Sequence, residues 1–112
     1  MNYWTQPAMK ERLDIRDQTK AAENILSKVA KFYGLTTDDI LGKCRERRFV
    51  KARFISIYFI KQKTEFTLVT IGKIFNRDHA SIIHALNTIK TVRELHYETD
   101  MLEDLKKLSN II

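Results

Sequence analysis

Apolar side chains fall along this chain in six helical groups. From Thr19, Ala22, Ile25, Leu26, Val29, Phe32 and Tyr33 recur at the spacing of one helix face, and Gly34 supplies a C-terminal stop. Thr36 predicts the next N-cap. Asp39 completes a capping box with it, and Leu35 with Ile40 forms a hydrophobic staple. Asp38 and Asp39 also suit the positive end of a helix dipole. That helix is short, because Gly42 follows. Residues 49–63 predict a long apolar helix with Val50, Ala52, Ile55, Tyr58 and Phe59 in the core. Arg53 and Lys61 are expected on its polar face. Thr67 predicts an N-cap for a helix over 68–75, with Phe66 and Ile71 as the staple pair. Gly72 inside it costs roughly 1 kcal/mol of helix propensity against Ala, which points to close approach of a neighbouring helix. Asn76 and Arg77 form a turn, and Asp78 caps a long helix over 79–97. Its buried stripe is Ile82, Ala85, Leu86, Ile89 and Val92. Met101, Leu102, Leu105 and Leu108 mark a last amphipathic helix over about 100–108.

Residues 1–18 read as an arm or a short helix ahead of one domain over 19–112. Three Gly and one Pro in 112 residues are too few for a hairpin-rich β fold, so the expected class is all-α, a compact multi-helix domain. The 44% hydrophobic content is enough for one modest core. One cysteine excludes an internal disulfide framework and a multi-cysteine zinc site. No 18-residue apolar run and no signal-peptide core occur, so the expected setting is cytoplasmic, without a membrane partner.

Charge sharpens this picture. Residues 1–40 are neutral, residues 41–93 carry twelve basic against three acidic side chains, and residues 94–112 carry two against five. The middle is therefore +9 within a chain of net +6. Such a patch suits a polyanion. Its densest stretch is GKCRERR at 42–48, read as an exposed loop or a fraying helix start. The helices over 68–75 and 79–97, joined by three residues, have helix-turn-helix form. In that motif the second helix enters the major groove and its first residues reach base edges. Those residues here are His79, Ala80, Ser81 and His84, with Arg77 and Asp78 just before them. Lys43, Arg45 and Arg47 are candidate loop contacts. Arg48, Lys51 and Thr67 are candidate phosphate contacts, together with His84.

IGKIFNRDHASIIHA, preceded by LGKCRERRFVKARFISIYF, resembles the C-terminal DNA-binding domain of the bacterial replication initiator DnaA. The resemblance runs from about residue 25 to 95. It implies a helical fold similar to that of the Trp repressor, a helix-turn-helix in the major groove and a basic loop in the adjacent minor groove. Arg45 matches the arginine that enters the minor groove, where a narrow A·T-rich duplex attracts arginine. Arg53 and Lys61 match phosphate contacts. Leu68 and Val69 match apolar contacts at the start of the first motif helix. Arg77, Asp78, His79, Ala80 and Ser81 match the base- and phosphate-contacting tip. An arginine there can pair with guanine, a carboxylate can accept from cytosine N4, His79 and Ala80 can touch thymine methyls, and Ser81 can bind phosphate.

The chain departs from the family pattern at several positions. Val69 stands where proline is common, Ala80 where threonine is common, Asn76 where many members have two glycines, and Phe54 where a polar residue is common. The full initiator carries an ATPase module. A phosphate loop needs Gly-x-x-x-x-Gly-Lys-Ser/Thr, and the nearest match, Gly42-Lys43-Cys44, has Thr37 at the first glycine. No ATP binding, cofactor, metal or catalytic residue is expected. His79 and His84 are five apart, off the spacing of metal ligands on one helix face. Cys44 reads as a spectator thiol. Glu94, Glu98, Asp100, Glu103 and Asp104 show no paired-acid pattern and read as solvated groups or intramolecular partners of basic residues. Met1 and the leader favour a stand-alone DNA reader over a fragment.

The expected function is sequence-specific binding of double-stranded DNA at sites like those of the initiator. It is linked to replication initiation at the nucleoid and leaves room for a protein partner from the replication machinery. The rival readings are a small transcriptional regulator and a protein-interaction module.

Overall fold

The computed structural model describes residues 15–95 and 99–112. They form six helices: α1 (Ile15–Tyr33), α2 (Thr37–Leu41), α3 (Arg47–Lys63), α4 (Leu68–Phe75), α5 (His79–Leu95) and α6 (Thr99–Ile111). No strand occurs among the described residues, so the fold is all-α as expected. Residues 1–14 of the expected arm and residues 96–97 of the expected long helix lie outside the described residues. Residues 15–18 belong to α1.

The N-terminal half of the helix boundaries follows the capping chemistry. Gly34 takes the left-handed conformation at φ 70°. There the Leu35 N–H reaches the Ala30 carbonyl at 2.8 Å and the Gly34 N–H reaches Lys31, a Schellman ending for α1. Thr36 and Asp39 exchange both capping-box bonds, at 3.0 and 2.9 Å. Thr67 Oγ1 accepts from the Thr70 N–H at 3.1 Å and starts α4. Asp78 Oδ1 accepts from the Ser81 N–H at 2.9 Å and starts α5. The Ser81 backbone bond, then its hydroxyl, hold the Asp78 carboxyl below its ordinary pKa.

The centre of the fold is α3, packed by α1, α2, α4 and α5. Helices on several sides explain why Ser56, Ile57 and Ile60 are buried along with Ala52, Ile55 and Phe59. A single apolar stripe underestimates a helix in this position. Val50 and Tyr58, expected in the core, are half-buried. Leu86 of α5 and Leu102 of α6 are also half-buried. Gln18 fastens the start of α1 to the link after α3. Its side-chain oxygen accepts from the Glu65 N–H at 2.6 Å.

The α4–α5 turn depends on two residues. Asn76 adopts φ 54°, ψ 47°, and its N–H reaches Lys73 while the Arg77 N–H reaches the Gly72 carbonyl at 2.8 Å. This is again a Schellman ending, with asparagine in the left-handed position. A Cβ at Gly72 would lie 2.5 Å from the Arg77 carbonyl oxygen. Gly72 is therefore needed for the turn folding back on its own helix. The expectation that it admits a neighbouring helix is corrected: the group that approaches is backbone of the turn.

Ion pairing fastens α6. Both carboxylate oxygens of Asp100 accept from Arg47 at 3.1 Å, and Lys51 bonds Asp100 at 3.2 Å and Asp104 at 3.1 Å. The Tyr33 hydroxyl donates to Asp104 at 2.6 Å. Burial, then the bond to Asp104, raises the Tyr33 pKa. Burial alone would lower the Lys51 pKa, but its bonds to Asp104 and Asp100 outweigh it and raise it. The bonds from Arg47, then Lys51, hold the Asp100 carboxyl down at about 2. Two carboxylates of the acidic tail are thus intramolecular partners of basic residues. The last helix also runs beyond 108, to Ile111, and Ile111 accepts a bond from Lys28 of α1 at 3.1 Å.

Gly72→Ala is expected to destabilise the fold by about 1–3 kcal/mol, since a clash with rigid backbone outweighs the helix-propensity gain. The urea midpoint measures it. Asp100 gives a pH dependence of known sign. Its folded pKa lies below the unfolded one, so its stabilisation is complete above about pH 4 and is lost as pH falls towards 2. In urea titrations, Asp100→Asn should remove this part of the acid destabilisation and lower stability at neutral pH.

Candidate nucleic-acid interface

An open groove of about 840 Å³ runs between the 41–45 loop, α3 and the first turn of α5. Lys43 and Arg45 line it from the loop, Arg53 and Phe54 from α3, and Asn76, Arg77 and Asp78 from the turn. Ala80, Ser81 and His84 line it from α5. The fold therefore brings the basic loop and the helix-turn-helix tip, more than thirty residues apart in sequence, to one surface.

Each side has a local cause. The loop contains no large apolar side chain from Gly42 to Arg48, so Lys43, Cys44 and Arg45 stay exposed. His79, Ala80 and Ser81 are exposed because α5 turns Ile82 and Ala85 inward. The His84 ring is exposed but supported edge-on by Phe54, with centroids 5.8 Å apart and planes at 88°. Phe54 and Asn76 are groove residues that charge-based reading does not select. The signal for both was the family pattern, from which Phe54 and Asn76 depart.

Arg53 departs from expectation, and Arg77 is likewise tied to backbone. Arg53, expected on the polar face of α3, is 5% exposed. Its Nε donates to the Ile40 carbonyl at 2.9 Å and its Nη2 to the Cys44 carbonyl at 3.1 Å. Arg77 is half-buried. Its Nη1 donates to the Phe75 carbonyl at 2.9 Å and its Nη2 to the Gly42 carbonyl at 2.8 Å. The physical reason is that helix ends and loops leave carbonyls without helical partners, and the guanidinium groups supply them. These carbonyls are Ile40 in α2, its cap Gly42, Cys44 in the loop and Phe75 at the end of α4. Such charge-assisted bonds contribute about 1.5–3 kcal/mol each. Burial, then the nearby Arg77 charge, lowers the Arg53 pKa, and burial lowers that of Arg77.

Arg47 was expected in the loop. It is the first residue of α3, and its guanidinium holds Asp100. Neither Arg47 nor Lys51 lines the groove. Arg48 is exposed, 3.9 Å from Glu46. Lys61 is exposed, and its Nζ lies 3.5 Å from the Phe66 carbonyl. At the start of α4, Thr67 is exposed, Leu68 is half-buried, and Val69 stands 55% exposed. Cys44 is an exposed thiol. No cluster of three or more His, Cys, Asp or Glu that could hold a metal occurs among the described residues. No helix among them is long and apolar enough to cross a membrane.

Comparison with known proteins agrees with the geometry. The chromosomal replication initiator protein DnaA of Limosilactobacillus reuteri (strain DSM 20016) is 40% identical over 85 residues, covering 75% of this chain and 19% of the relative. DnaA 1 of Chlamydia pneumoniae is 33% identical over 88 residues, covering 77% and 19%. DnaA of Paraburkholderia phymatum is 32% identical over 108 residues, covering 92% and 21%. The chain spans about a fifth of the length of these relatives. The family model for the bacterial DnaA protein helix-turn-helix matches residues 22–89, from α1 into α5, and the chain belongs to that family.

Proposed function

We propose that this chain binds double-stranded DNA in a sequence-dependent way, as a reader of sites like those of the replication initiator. The observation that carries the reading is the shared surface of Arg45 and the α5 tip, in a chain that belongs to the DnaA helix-turn-helix family. The first turn of α5 enters the major groove, where Asp78, His79, Ala80 and Ser81 meet base edges and phosphates. Leu68 and Val69 make apolar contacts in the major groove beside it. Lys43 and Arg45 enter the adjacent minor groove, where a narrow A·T-rich duplex favours arginine. Arg48, Lys61, Thr67 and His84 serve phosphates. Arg47 and Lys51 reach phosphate only by exchanging it for Asp100 and Asp104. Initiation of replication sets this work at the nucleoid in the cytoplasm.

Gel-shift competition between an initiator-box duplex and a scrambled duplex tests the reading. Equal competition at moderate salt would sink it. With about five phosphates neutralised, log K should fall against log salt with a slope of roughly −4 to −5. Arg45→Ala should cost about 1–3 kcal/mol and relax the A·T preference at the loop end of the site. A matching loss on every sequence would make Arg45 a phosphate contact instead.

A further inference from the structure

Arg53 and Arg77 are basic residues lining the groove whose guanidinium groups donate to backbone carbonyls. Each guanidinium bridges two pieces of backbone. Arg53 joins the last turn of α2 to the loop, through Ile40 and Cys44. Arg77 joins the end of α4 to the loop, through Phe75 and Gly42. The loop has no apolar anchor of its own between Gly42 and Arg48. Its carbonyls at 42 and 44 are held by these two side chains.

We propose that Arg53 and Arg77 are positioning residues, a double clamp that fixes the 42–46 loop against the helix-turn-helix so that Arg45 and the α5 tip read DNA as one rigid unit. The inference rests on the proposed DNA reading and assigns these two arginines a role through the loop in place of direct contact. The fork matters. A guanidinium presents coplanar donors at fixed angles, so gripping two carbonyls sets their relative orientation as well as their distance. A lysine ammonium keeps the charge but cannot reproduce that geometry. If the Arg77 side chain swung out to pair with a base, it would release Phe75 and Gly42, and the loop would lose its link to the turn.

Arg77→Lys separates the roles, because it keeps the charge and alters a half-exposed turn residue. Two measurements are made on it. The first is the backbone order parameter of residues 43–46 in the DNA-free protein, by NMR relaxation. The second is binding to duplexes substituted one base pair at a time. The clamp predicts order parameters falling from about 0.85 towards 0.6. It also predicts an A·T preference at the loop end weakened about tenfold, with major-groove preferences retained. Arg53→Lys should loosen the same residues, with circular dichroism checking its fold. An unchanged loop overturns the clamp. Loss confined to one major-groove guanine would then make Arg77 a base reader, and near-native binding would make it a phosphate contact. A loosened loop with its A·T preference intact overturns the coupling to reading. If the native chain discriminates no duplex, the DNA reading falls, while the relaxation data still decide whether the clamp holds the loop.

Discussion

The reading surface depends on the absence of one carbon atom. Gly72 lets the Arg77 carbonyl oxygen come within 2.5 Å of where a Cβ would stand, and this allows α4 to end and the chain to reverse within three residues. Asn76 accepts the left-handed conformation that the reversal demands. Arg77 is thereby carried to the place from which its side chain reaches Gly42. The turn, the clamp and the position of the basic loop are successive consequences of one close backbone approach.

The fold was largely legible because its boundaries are set by local chemistry. The Thr36 box, the Thr67 and Asp78 caps, and the Gly34 and Asn76 endings each involve groups within a few residues of one another. What resisted reading is non-local. Arg53 sits among apolar residues of α3, and charge alone sends it to solvent. Its burial depends on carbonyls thirteen and nine residues away, which spacing along a helix does not reveal. Arg47 belongs to a helix, and its partner lies fifty-three residues on. Gly72 was recognisable as a close approach, but the approaching group depends on how the turn closes. The outline of the groove was readable from the motif. The division of its arginines between surface and scaffold was not.

That division changes the meaning of the +9 segment. At least four of its cations have internal roles: Arg53 and Arg77 hold carbonyls, and Arg47 and Lys51 hold carboxylates. The others named as contacts, such as Lys43 and Arg45, are exposed. A basic composition therefore serves two ends. It gives the surface an attractive field, and it supplies long donors that order a short helix end and a loop with no core of their own. The second use explains how so polar a loop keeps a defined shape.

The α6 carboxylates have one more consequence, for ion accounting. Asp100 and Asp104 are counterions covalently tethered to the protein, already seated on Arg47 and Lys51. A phosphate arriving at either cation displaces a tethered carboxylate and leaves that carboxylate to collect a cation from solution. The salt released by the nucleic acid is then partly taken up again by the protein. On the proposed DNA reading, phosphate contacts at this end would leave little trace in a salt titration, and the slope would count fewer phosphates than are bound.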